Sequence, residues 1–585
     1  MKINRRWKVK LGEQVEAFRK RENQLSLVLS LVIGALVGLV VVAFILLTGR
    51  LAARMYPAGG AGWRRILVPT LGSLGTGWLL WRYFPFARGS GIPQTKFALF
   101  INDGYISFRT ALGKFFCCSA SLASGIALGR EGPSVQVGAG LSSVISRRLG
   151  LSKEQVKSLV PVGCSAALAA AFNTPIAAVL FSLEEIVGDL HAPVLGSVVL
   201  SSATSWMVLH LVLGDEPLFH VAGYHLVHPL EFAVYAALGV VGGLGSVAFV
   251  KLLLGIRARF MTLPKWTVWF QPVAGGLGVG LMGFFIPEVL GVGYDVVDKA
   301  LNGDLVLKLL ILLAVLKIVA TALCYGSGNA GGIFGPSLFI GAMMGGSVGS
   351  VAHALLPGYT AEPGAYALVG MGTAFAGIVR TPLTSVIMIF EMTRDYTIIV
   401  PLMISNLIAF YISHKLQKEP IYEALAGQDG VRLPNVESRA QAGRMQVLQA
   451  MRAAPEVFSP DTEVAAAVVR ARRGPLDAWP VADGSGLLGM IRNADLEAAM
   501  ANGAERKGLA DFLKAVPLEQ HPDAGELVYA YPDDSLSVVL ERMGKSGCNV
   551  VPVVSRADVR QLVGVVTLDD ILKTYGIAKP DGLEE

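Results

Sequence analysis

Residues 129–140 read GREGPSVQVGAG, and long apolar runs flank this stretch at 110–128 and 160–183. An arginine, a glutamate and a proline stand here, closely flanked by glycines. Non-helical backbone is tolerated at membrane depth only where protein buries it or water lines it. Proline is well placed in the first turn of a helix. The stretch therefore predicts a helix that begins inside a membrane protein, with Glu131 close to its start.

The composition indicates a membrane protein with many spans. Of the 585 residues, 53% are hydrophobic and only 16% are charged, whereas soluble domains carry about a quarter charged residues. Residues 25–47 contain no charge, and this run is long enough to cross a hydrocarbon core of about 30 Å. A signal peptide is excluded because the run is too long and many similar runs follow.

Basic residues near the start predict the orientation. Residues 1–23 contain eight Lys or Arg against three Glu, which places this end in the cytoplasm by the positive-inside rule. The formal net charge of +6 is then a topology signal, and no nucleic-acid partner is predicted. The five cysteines form no CxxC pair and no metal-ligand spacing, so no metal site is predicted.

The apolar character ends near Leu416, and the chain after it is polar with short strand-like runs. We predict a cytoplasmic lead over 1–24, a membrane transport domain over 25–430 and a soluble cytoplasmic domain over 440–580. Because the lead and the soluble domain lie on the same side, the membrane domain should cross an even number of times.

Internal repeats divide the membrane domain. Blocks of the first half recur in the same order in the second: GPSVQVGA (132–139) as GPSLFIGA (335–342), Thr174-Pro175 as Thr381-Pro382, and Glu184 as Glu391. The shared order predicts two homologous halves, at about 25–215 and 230–425. Such repeats are typical of transporters, often in inverted topology, with substrate held where broken helices meet.

Glycine and proline break the apolar sequence in matched positions of both halves: 89–93, 129–133, 172–175, 326–336 and 380–382. Each break predicts a helix start whose free N–H groups and positive dipole end point into the protein. Several such ends together make an anion site. Segments after the breaks, such as 134–146 and 337–355, are predicted to be half-length or tilted helices. The alternative is that these glycines only allow close helix packing.

Glu131 is itself an anion and can occupy the place of a transported anion at a helix N-terminus. When protonated it is neutral and can leave that place. The alternative is a salt bridge with Arg130 or a distant lysine. Ionisable residues inside membranes are functional by default, which favours the first interpretation.

Four segments resemble the signature segments of the CLC family of chloride channels and chloride/proton antiporters: GSGIPQ (89–94), GREGPSVQ (129–136), GSGNAGGIFGP (326–336) and EPIYEAL (419–425). The resemblance implies an all-α polytopic membrane domain of two inverted halves, built from many tilted and broken helices. It also implies a homodimer with one pore in each subunit.

The resemblance implies roles for individual residues. Ser90 and Tyr422 would hold the central chloride through their hydroxyl groups, and Ile333 and Phe334 through their backbone N–H groups. Glu131 would be the external gate that competes with the anion and carries the proton. The flanking residues of the same chloride site would be Gly129, Arg130 and Gly332.

Two adjacent acids, Glu184 and Glu185, bear on the choice between channel and antiporter. Alignment on the family pattern puts Glu185 at the internal proton-transfer position, while the repeat pairs Glu184 with Glu391 and so suggests a structural role. Family channels typically lack the internal acid, which favours a chloride/proton antiporter; the alternative is a passive chloride channel. Nitrate-selective relatives tend to carry proline where this chain has Ser90, so chloride is the predicted ligand, and no cofactor is required.

The soluble tail resembles a pair of CBS domains, at 530–576 and, more faintly, at 453–500, which implies an α/β fold. Thr567 and Asp570 lie where such modules hold a nucleotide ribose. In the fainter copy Arg492 replaces the usual Ser or Thr before Asp495, which argues against a nucleotide in that cleft. Regulation by an adenine nucleotide and a purely dimerising tail remain alternatives.

Rival classes explain less of the sequence. An intramembrane enzyme is not predicted, since no HExxH motif appears. A sodium-coupled amino-acid transporter would share the repeat but would not explain GREGP or Tyr422. We therefore expect a multi-pass protein of the plasma or inner membrane, with both termini cytoplasmic.

Overall fold

The chain divides into two compact units, Met1–Leu433 and Pro434–Glu585. The computed structural model describes residues 3–55, 60–190, 193–215, 217–219, 221, 223–224, 226–431, 445–453, 456–512, 514–515 and 528–575.

The described part of the first unit is helical throughout. Its α-helices are α1 (Ile3–Met55), α2 (Arg64–Arg82), α3 (Ile92–Phe100), α4 (Phe108–Ala123), α5 (Glu131–Arg148), α6 (Lys153–Phe172), α7 (Pro175–Phe181), α8 (Leu195–Leu213), α9 (Glu231–Met261), α10 (Pro272–Phe285), α11 (Tyr294–Leu301), α12 (Leu307–Gly326), α13 (Phe334–Leu355), α14 (Pro363–Val379), α15 (Pro382–Thr393), α16 (Ile399–Leu416) and α17 (Ile421–Gln428). A π-helical turn, Ser182–Val187, continues α7.

Within the described ranges, seven helical stretches are long and apolar enough to cross a membrane: Gln24–Met55, Lys153–Phe172, Leu195–Leu213, Glu231–Met261, Leu307–Gly326, Phe334–Leu355 and Ile399–Gln428. Exposed large apolar side chains, such as Leu39 on α1 and Leu211 on α8, fit an exterior that faces lipid. This agrees with a polytopic membrane unit.

One helix joins the predicted lead to the first apolar run, and one other segment differs from the sequence-based expectation. Helix α1 continues unbroken from Ile3 to Met55, and its part from Gln24 onward is apolar enough to span a membrane, so the cytoplasmic lead over 1–24 stays a prediction. No proline interrupts that stretch, and its residues are mostly good helix formers. The segment 337–355 belongs to a helix of 22 residues, which is long enough to span rather than half-length. This helix already begins at Phe334, since Pro336 is tolerated in its first turn.

Each predicted break precedes a helix start. The breaks at 89–93 and 129–133 lead into α3 and α5, and 326–336 leads into α13. The Thr-Pro pairs at 172–175 and 380–382 place proline as the first residue of α7 and α15. The prediction of helices that begin inside the protein is confirmed.

Two buried lysines occupy matching places in the two halves and so support the internal repeat. Lys114 on α4 donates to the carbonyls of Ala87 (2.9 Å) and Gly89 (2.5 Å) in the loop before α3. Lys317 on α12 donates to the matching loop of the second half, at Val289 (3.1 Å) and Gly291 (2.7 Å). Each ammonium group thus ties down the loop that starts a broken helix.

A second matched pair links the halves to each other. Glu391, at the end of α15, accepts from the backbone N–H groups of Ile176 (2.9 Å) and Ala177 (2.7 Å) at the start of α7. Glu184 returns the contact, accepting from the N–H (2.9 Å) and the hydroxyl (2.6 Å) of Thr384 at the start of α15. The reciprocity fits two inverted halves, and it gives Glu184 a structural role.

Glycine also serves close packing, as the alternative reading of the breaks proposed. A Cβ atom on Gly138 of α5 would collide with the carbonyl oxygen of Gly163 on α6. The second half repeats this contact between Gly341 of α13 and Gly370 of α14. Both roles of glycine are therefore present, at different positions.

The second unit contains two parts with the same order of elements. The first has α19 (Val464–Ala471), β1 (Ala478–Asp483), β2 (Gly486–Arg492) and α20 (Asn493–Ala501); the second has α21 (Leu536–Ser546), β4 (Val550–Val554), β5 (Leu562–Thr567) and α22 (Leu568–Thr574). A short helix α18 (Val447–Ala450) precedes them, and β3 (Lys514–Ala515) extends the first sheet. The strand pairs are antiparallel, with Ala478 opposite Arg492 and Val550 opposite Thr567.

Candidate anion and proton site

Two glycines bring the broken helices of the two halves together. The N–H of Gly129 donates to the carbonyl of Gly332 at 2.7 Å, and the N–H of Gly332 donates back to Gly129 at 2.7 Å. This short antiparallel bridge lies just before α5 in one half and just before α13 in the other. The positive ends of both helices are therefore held at one place deep in the protein.

The Glu131 carboxyl group lies at the start of the opposite helix, α13, and is completely buried. Its Oε2 accepts the backbone N–H of Gly335 at 3.2 Å, and its Oε1 accepts the hydroxyl of Tyr294. Among the described residues no lysine or arginine pairs with it, so the salt-bridge alternative is wrong. The Glu131 carboxyl group thus lies at a helix N-terminus, in the place where an inorganic anion would bind.

Tyr294 was missed by sequence reasoning. It is the first residue of α11, directly after Gly291-Val292-Gly293, the second-half counterpart of Gly89-Ser90-Gly91. That match is the signal that could have pointed to it. Its ring packs edge-on against Phe219, and the guanidinium carbon of Arg130 lies 5.7 Å from the ring centre. Arg130 thus contacts the residue that holds Glu131, rather than Glu131 itself.

Ser90 is buried beside the GREGP segment. Its N–H donates to the hydroxyl of Tyr325 at 3.3 Å, and its own Oγ accepts the N–H of Ile92 at 3.4 Å. Gly91 has a φ of 102°, and a Cβ there would lie 2.6 Å from the carbonyl oxygen of Gly132. Only glycine allows this approach of α3 to α5.

A cavity of about 650 Å³ approaches the same serine. Its lining includes Arg88, Gly89, Tyr325 and Arg257. The guanidinium of Arg88 donates to the carbonyl of Val268 at 2.8 Å. Basic and polar groups thus line this cavity next to Gly89, the residue before Ser90.

Ile333 and Phe334 stand at the very start of α13 and are fully buried. The first N–H groups of a helix have no intrahelical acceptor, so both can donate to an anion. The ring of Phe334 packs between Phe172 (4.8 Å), Phe181 (5.4 Å) and Phe375 (4.3 Å), measured between ring centres. This aromatic cluster fixes the start of α13, and with it the two N–H groups.

Tyr422, the second residue of α17, is fully buried, yet its hydroxyl has no hydrogen-bond partner in the described part of the chain. Buried polar groups are nearly always hydrogen-bonded. The phenol lies within electrostatic range of Tyr325, Glu131 and Glu185. A chloride among these groups would satisfy it.

Glu185 points away from Glu184 and joins a buried ionic cluster. Lys96 on α3 contacts it at 2.8 Å and also contacts Glu423 on α17. Sequence reasoning named Glu185 but missed Lys96 and Glu423. A lysine among the apolar residues of IPQTKFALF was the available signal. The π-helical turn Ser182–Val187 lets neighbouring acids serve different partners, one on α15 and one on α3.

The two predicted ribose positions in the tail are already engaged. Asp570 accepts from the N–H (3.3 Å) and hydroxyl (2.6 Å) of Thr567 through Oδ2, and Arg452 approaches the same oxygen at 3.2 Å. Arg492 makes two bonds to Asp495, at 2.8 and 2.7 Å. The second arrangement agrees with the expectation that the first cleft is ill suited to a ribose.

One serine pattern typical of hydrolases occurs in the membrane unit and does not form a catalytic site. GGSVG, residues 345–349, matches GxSxG but lies in the middle of α13. A nucleophile elbow requires a sharp turn from strand to helix. Here the hydroxyl of Ser347 donates to the carbonyl of Met343 at 2.7 Å, as in an ordinary helix.

Comparison with known sequences identifies relatives of this arrangement. The Voltage gated chloride channel family matches residues 72–414, and the CBS domain family matches residues 524–576. A putative chloride channel protein ClcB-like from Ralstonia nicotianae is 34% identical over 64% of this chain and 89% of its own length. An H(+)/Cl(-) exchange transporter ClcA from Vibrio campbellii is 33% identical over 60% of this chain and 76% of its own length.

Solved structures share the fold. A slow cyanobacterial Cl-/H+ antiporter superposes with a TM-score of 0.63 and 27% identity, over 69% of this chain and 97% of that one. A eukaryotic CLC transporter superposes with a TM-score of 0.62 over 94% of this chain and 98% of that one. At 20% identity the second comparison shows the fold alone, and it spans both units.

The unpartnered phenol leads to a direct prediction. Tyr422→Phe keeps the ring but removes a hydrogen bond to a charged group, worth about 1.5–3 kcal/mol. We expect chloride affinity, measured by titration calorimetry of the purified protein, to fall by about one to two decades. Tyr411→Phe, at an exposed tyrosine of α16, is the matched control. Unchanged chloride affinity in Tyr422→Phe would remove this phenol from the site.

Proposed function

Because the chain belongs to the voltage gated chloride channel family, we propose that it exchanges chloride for protons across a membrane. One observation carries the proposal: the buried Glu131 carboxyl group is bound by a backbone N–H at the start of α13, where an anion is expected. The named exchange transporter from Vibrio campbellii and the cyanobacterial antiporter support it. Transport, rather than an enzymatic reaction, is the activity.

Chloride is bound at the centre by dipoles rather than by full positive charges. The hydroxyl groups of Ser90 and Tyr422 and the N–H groups of Ile333 and Phe334 donate to it, while Gly129 and Gly332 hold the two halves around it. Such preorganised donors stabilise an anion without binding it irreversibly. Chloride is the best-matched ligand, since Ser90 is present where nitrate-selective relatives tend to carry proline.

Glu131 couples the anion to the proton. As a carboxylate it competes with chloride for the start of α13, through the N–H of Gly335. Once protonated it is neutral, loses its attraction to the helix dipole and makes room for chloride. Each time the Glu131 carboxylate and chloride replace one another at the start of α13, a proton moves in one direction and chloride in the other.

Glu185 supplies protons from the cytoplasmic side. It is a separate buried acid. It lies close enough to Tyr422 for the two groups to interact electrostatically, and Tyr422 belongs to the anion site. Buried acids of this kind mark proton relays in membrane proteins. A passive channel is the alternative, and the name of the Ralstonia nicotianae relative favours it. The presence of a second buried acid favours exchange.

The proposal also covers the assembly of the protein, its orientation and its location. All the anion and proton residues come from one chain, so each subunit of a homodimer carries its own pathway. The basic residues of 1–23 support a cytoplasmic N-terminus, and we propose that the tail lies on the same side of the membrane. The protein resides in the plasma or inner membrane, with its tail modulating transport and no cofactor required.

The first test replaces the gate. Glu131→Gln mimics the protonated carboxyl, so chloride should still move through reconstituted liposomes while protons no longer do. The measurements are chloride efflux and the uptake of protons driven by a chloride gradient. Proton uptake that persists in the purified variant would contradict the proposed role of Glu131.

The adjacent glutamates allow a matched comparison. Glu185→Gln should abolish proton movement and spare chloride passage, because it removes the internal acid. Glu184→Gln should affect mainly stability, because Glu184 caps α15 through Thr384. Because glutamine keeps one acceptor oxygen for Thr384, the loss of stability should be at most about 1 kcal/mol, which thermal unfolding in detergent can measure. A larger effect of Glu184→Gln on proton flux would reverse the two assignments.

For the tail we propose regulation by an adenine nucleotide at Thr567 and Asp570. A carboxylate can accept from both ribose hydroxyls, and binding would displace Arg452 from Asp570. Asp570→Ala should abolish any effect of ATP on chloride flux from liposomes and leave basal exchange intact, whereas Asp558→Ala should change neither. ATP regulation that survives Asp570→Ala would exclude this site.

A chain ending at Ala440 should still exchange chloride for protons. Loss of exchange in a folded, dimeric short chain would make the tail part of the transport machinery.

A further inference from the structure

Three ionisable side chains from three separate elements meet in one place: Lys96, Glu185 and Glu423. Lys96 of α3 lies between Glu185, in the π-helical turn, and Glu423, in the first turn of α17. The side chains of Lys96, Glu185 and Glu423 are only 6%, 7% and 10% exposed. The three therefore form a nearly closed ionic cluster rather than a solvated surface pair.

The cluster has one positive charge for two carboxyl groups. If both carboxyl groups were ionised, the buried site would carry a net negative charge, which is costly in a low-dielectric interior. One bound proton makes the cluster neutral. Oε2 of Glu423 is buried and has no hydrogen-bond partner among the described residues. It is therefore a carboxyl oxygen on which that proton can reside.

We infer that the transported proton is held by Glu185 and Glu423 together, bridged by Lys96, rather than by Glu185 alone. Glu423 is then a second proton-binding residue, and Lys96 is the positioning residue that keeps both carboxyl groups in place and sets their affinity for the proton. The inference rests on the proposed chloride/proton exchange and deepens it. It also joins the two pathways, because Glu423 directly follows Tyr422 on α17.

Other charged and titratable side chains of the described residues lie beside this cluster or along α17. Glu184 lies beside Glu185 but is committed to Thr384 of α15. Tyr422 and Tyr325 lie on the side of the anion site. At the other end of α17, Arg257 of α9 is paired with Asp429 at 2.5 Å. Lys96 is thus the basic side chain that both cluster carboxyl groups contact.

A structural role for Glu423 makes different predictions. If Glu423 only neutralised Lys96, Glu185 would still bind the proton, and removing the charge of Glu423 would leave the proton coupling as it was. If the proton is shared, removing that charge leaves Glu185 facing Lys96 alone. The ammonium then favours the ionised form of Glu185, and proton binding requires a lower pH.

The test measures chloride-driven proton uptake by liposomes as a function of internal pH, with the full chain. We expect Glu423→Gln to move the midpoint to lower pH by about one unit or more, with chloride efflux retained. Lys96→Met should move the midpoint to higher pH, because two carboxyl groups then share a proton without a cation. Glu419→Gln, at an exposed glutamate four residues before Glu423, is the matched control and should leave the profile unchanged.

The double variant Lys96→Met/Glu423→Gln gives the sharpest outcome. Without the ammonium group, the remaining Glu185 regains proton affinity, so the midpoint should return toward that of the unmodified chain. A merely damaged structure would not be rescued by a second substitution. Should Glu423→Gln reduce chloride efflux as well, Glu423→Ala, which also removes the charge, replaces it as the test variant, with the same direction of shift expected.

Two negative results have separate meanings. An unmodified chain that moves chloride but no protons would overturn the proposed exchange itself. A normal unmodified chain, combined with an unchanged pH profile in Glu423→Gln, would overturn the shared proton site and leave exchange standing.

Discussion

The reciprocal backbone bridge between Gly129 and Gly332 is the constraint on which the rest of the membrane unit depends. Two N–H···O bonds of 2.7 Å join the loops before α5 and α13, and they satisfy backbone groups that could find no water at this depth. The bridge holds two helix N-termini, from opposite halves, against each other. Without it, Glu131 of α5 could not reach the N–H of Gly335 on α13.

Several buried or half-buried ionisable groups in this unit are stabilised by dipoles rather than by opposite charges. Lys114 and Lys317 are bound by backbone carbonyls, and Glu131, Glu184 and Glu391 by N–H or hydroxyl groups. This solution avoids burying strong ion pairs, whose desolvation cost can exceed their attraction. It also suits transport, because a carboxyl group held by hydrogen bonds can exchange places with an anion. The cluster of Lys96 with two acids is different, because one lysine there contacts two carboxyl groups, which is the basis of the proposed shared proton.

The broken helices and the buried acids therefore perform separate tasks. Gly-Pro breaks create positive helix ends without basic side chains, and a chloride ion can leave such ends readily. The acids are the groups that we propose carry protons between those ends and the cytoplasmic side. Tyr422 and Glu423 are consecutive on α17, so one short helix contributes a residue to each task.

The sequence by itself determined the membrane class, the two halves, the helix starts at the breaks and the identity of Ser90, Glu131, Glu185 and Tyr422 as candidates. These are local or repeated features: apolar runs, turn residues and matched motifs, each readable from neighbouring residues. The tertiary structure alone decided which partners those residues meet. Tyr294 is distant in sequence from Glu131, and Lys96 is distant from Glu185 and Glu423, so no local pattern encodes such pairings. The paired roles of Glu184 and Glu185 likewise depend on a π-helical turn and on the packing of α3 and α15, because only three-dimensional packing decides which acid meets a lysine and which caps a helix.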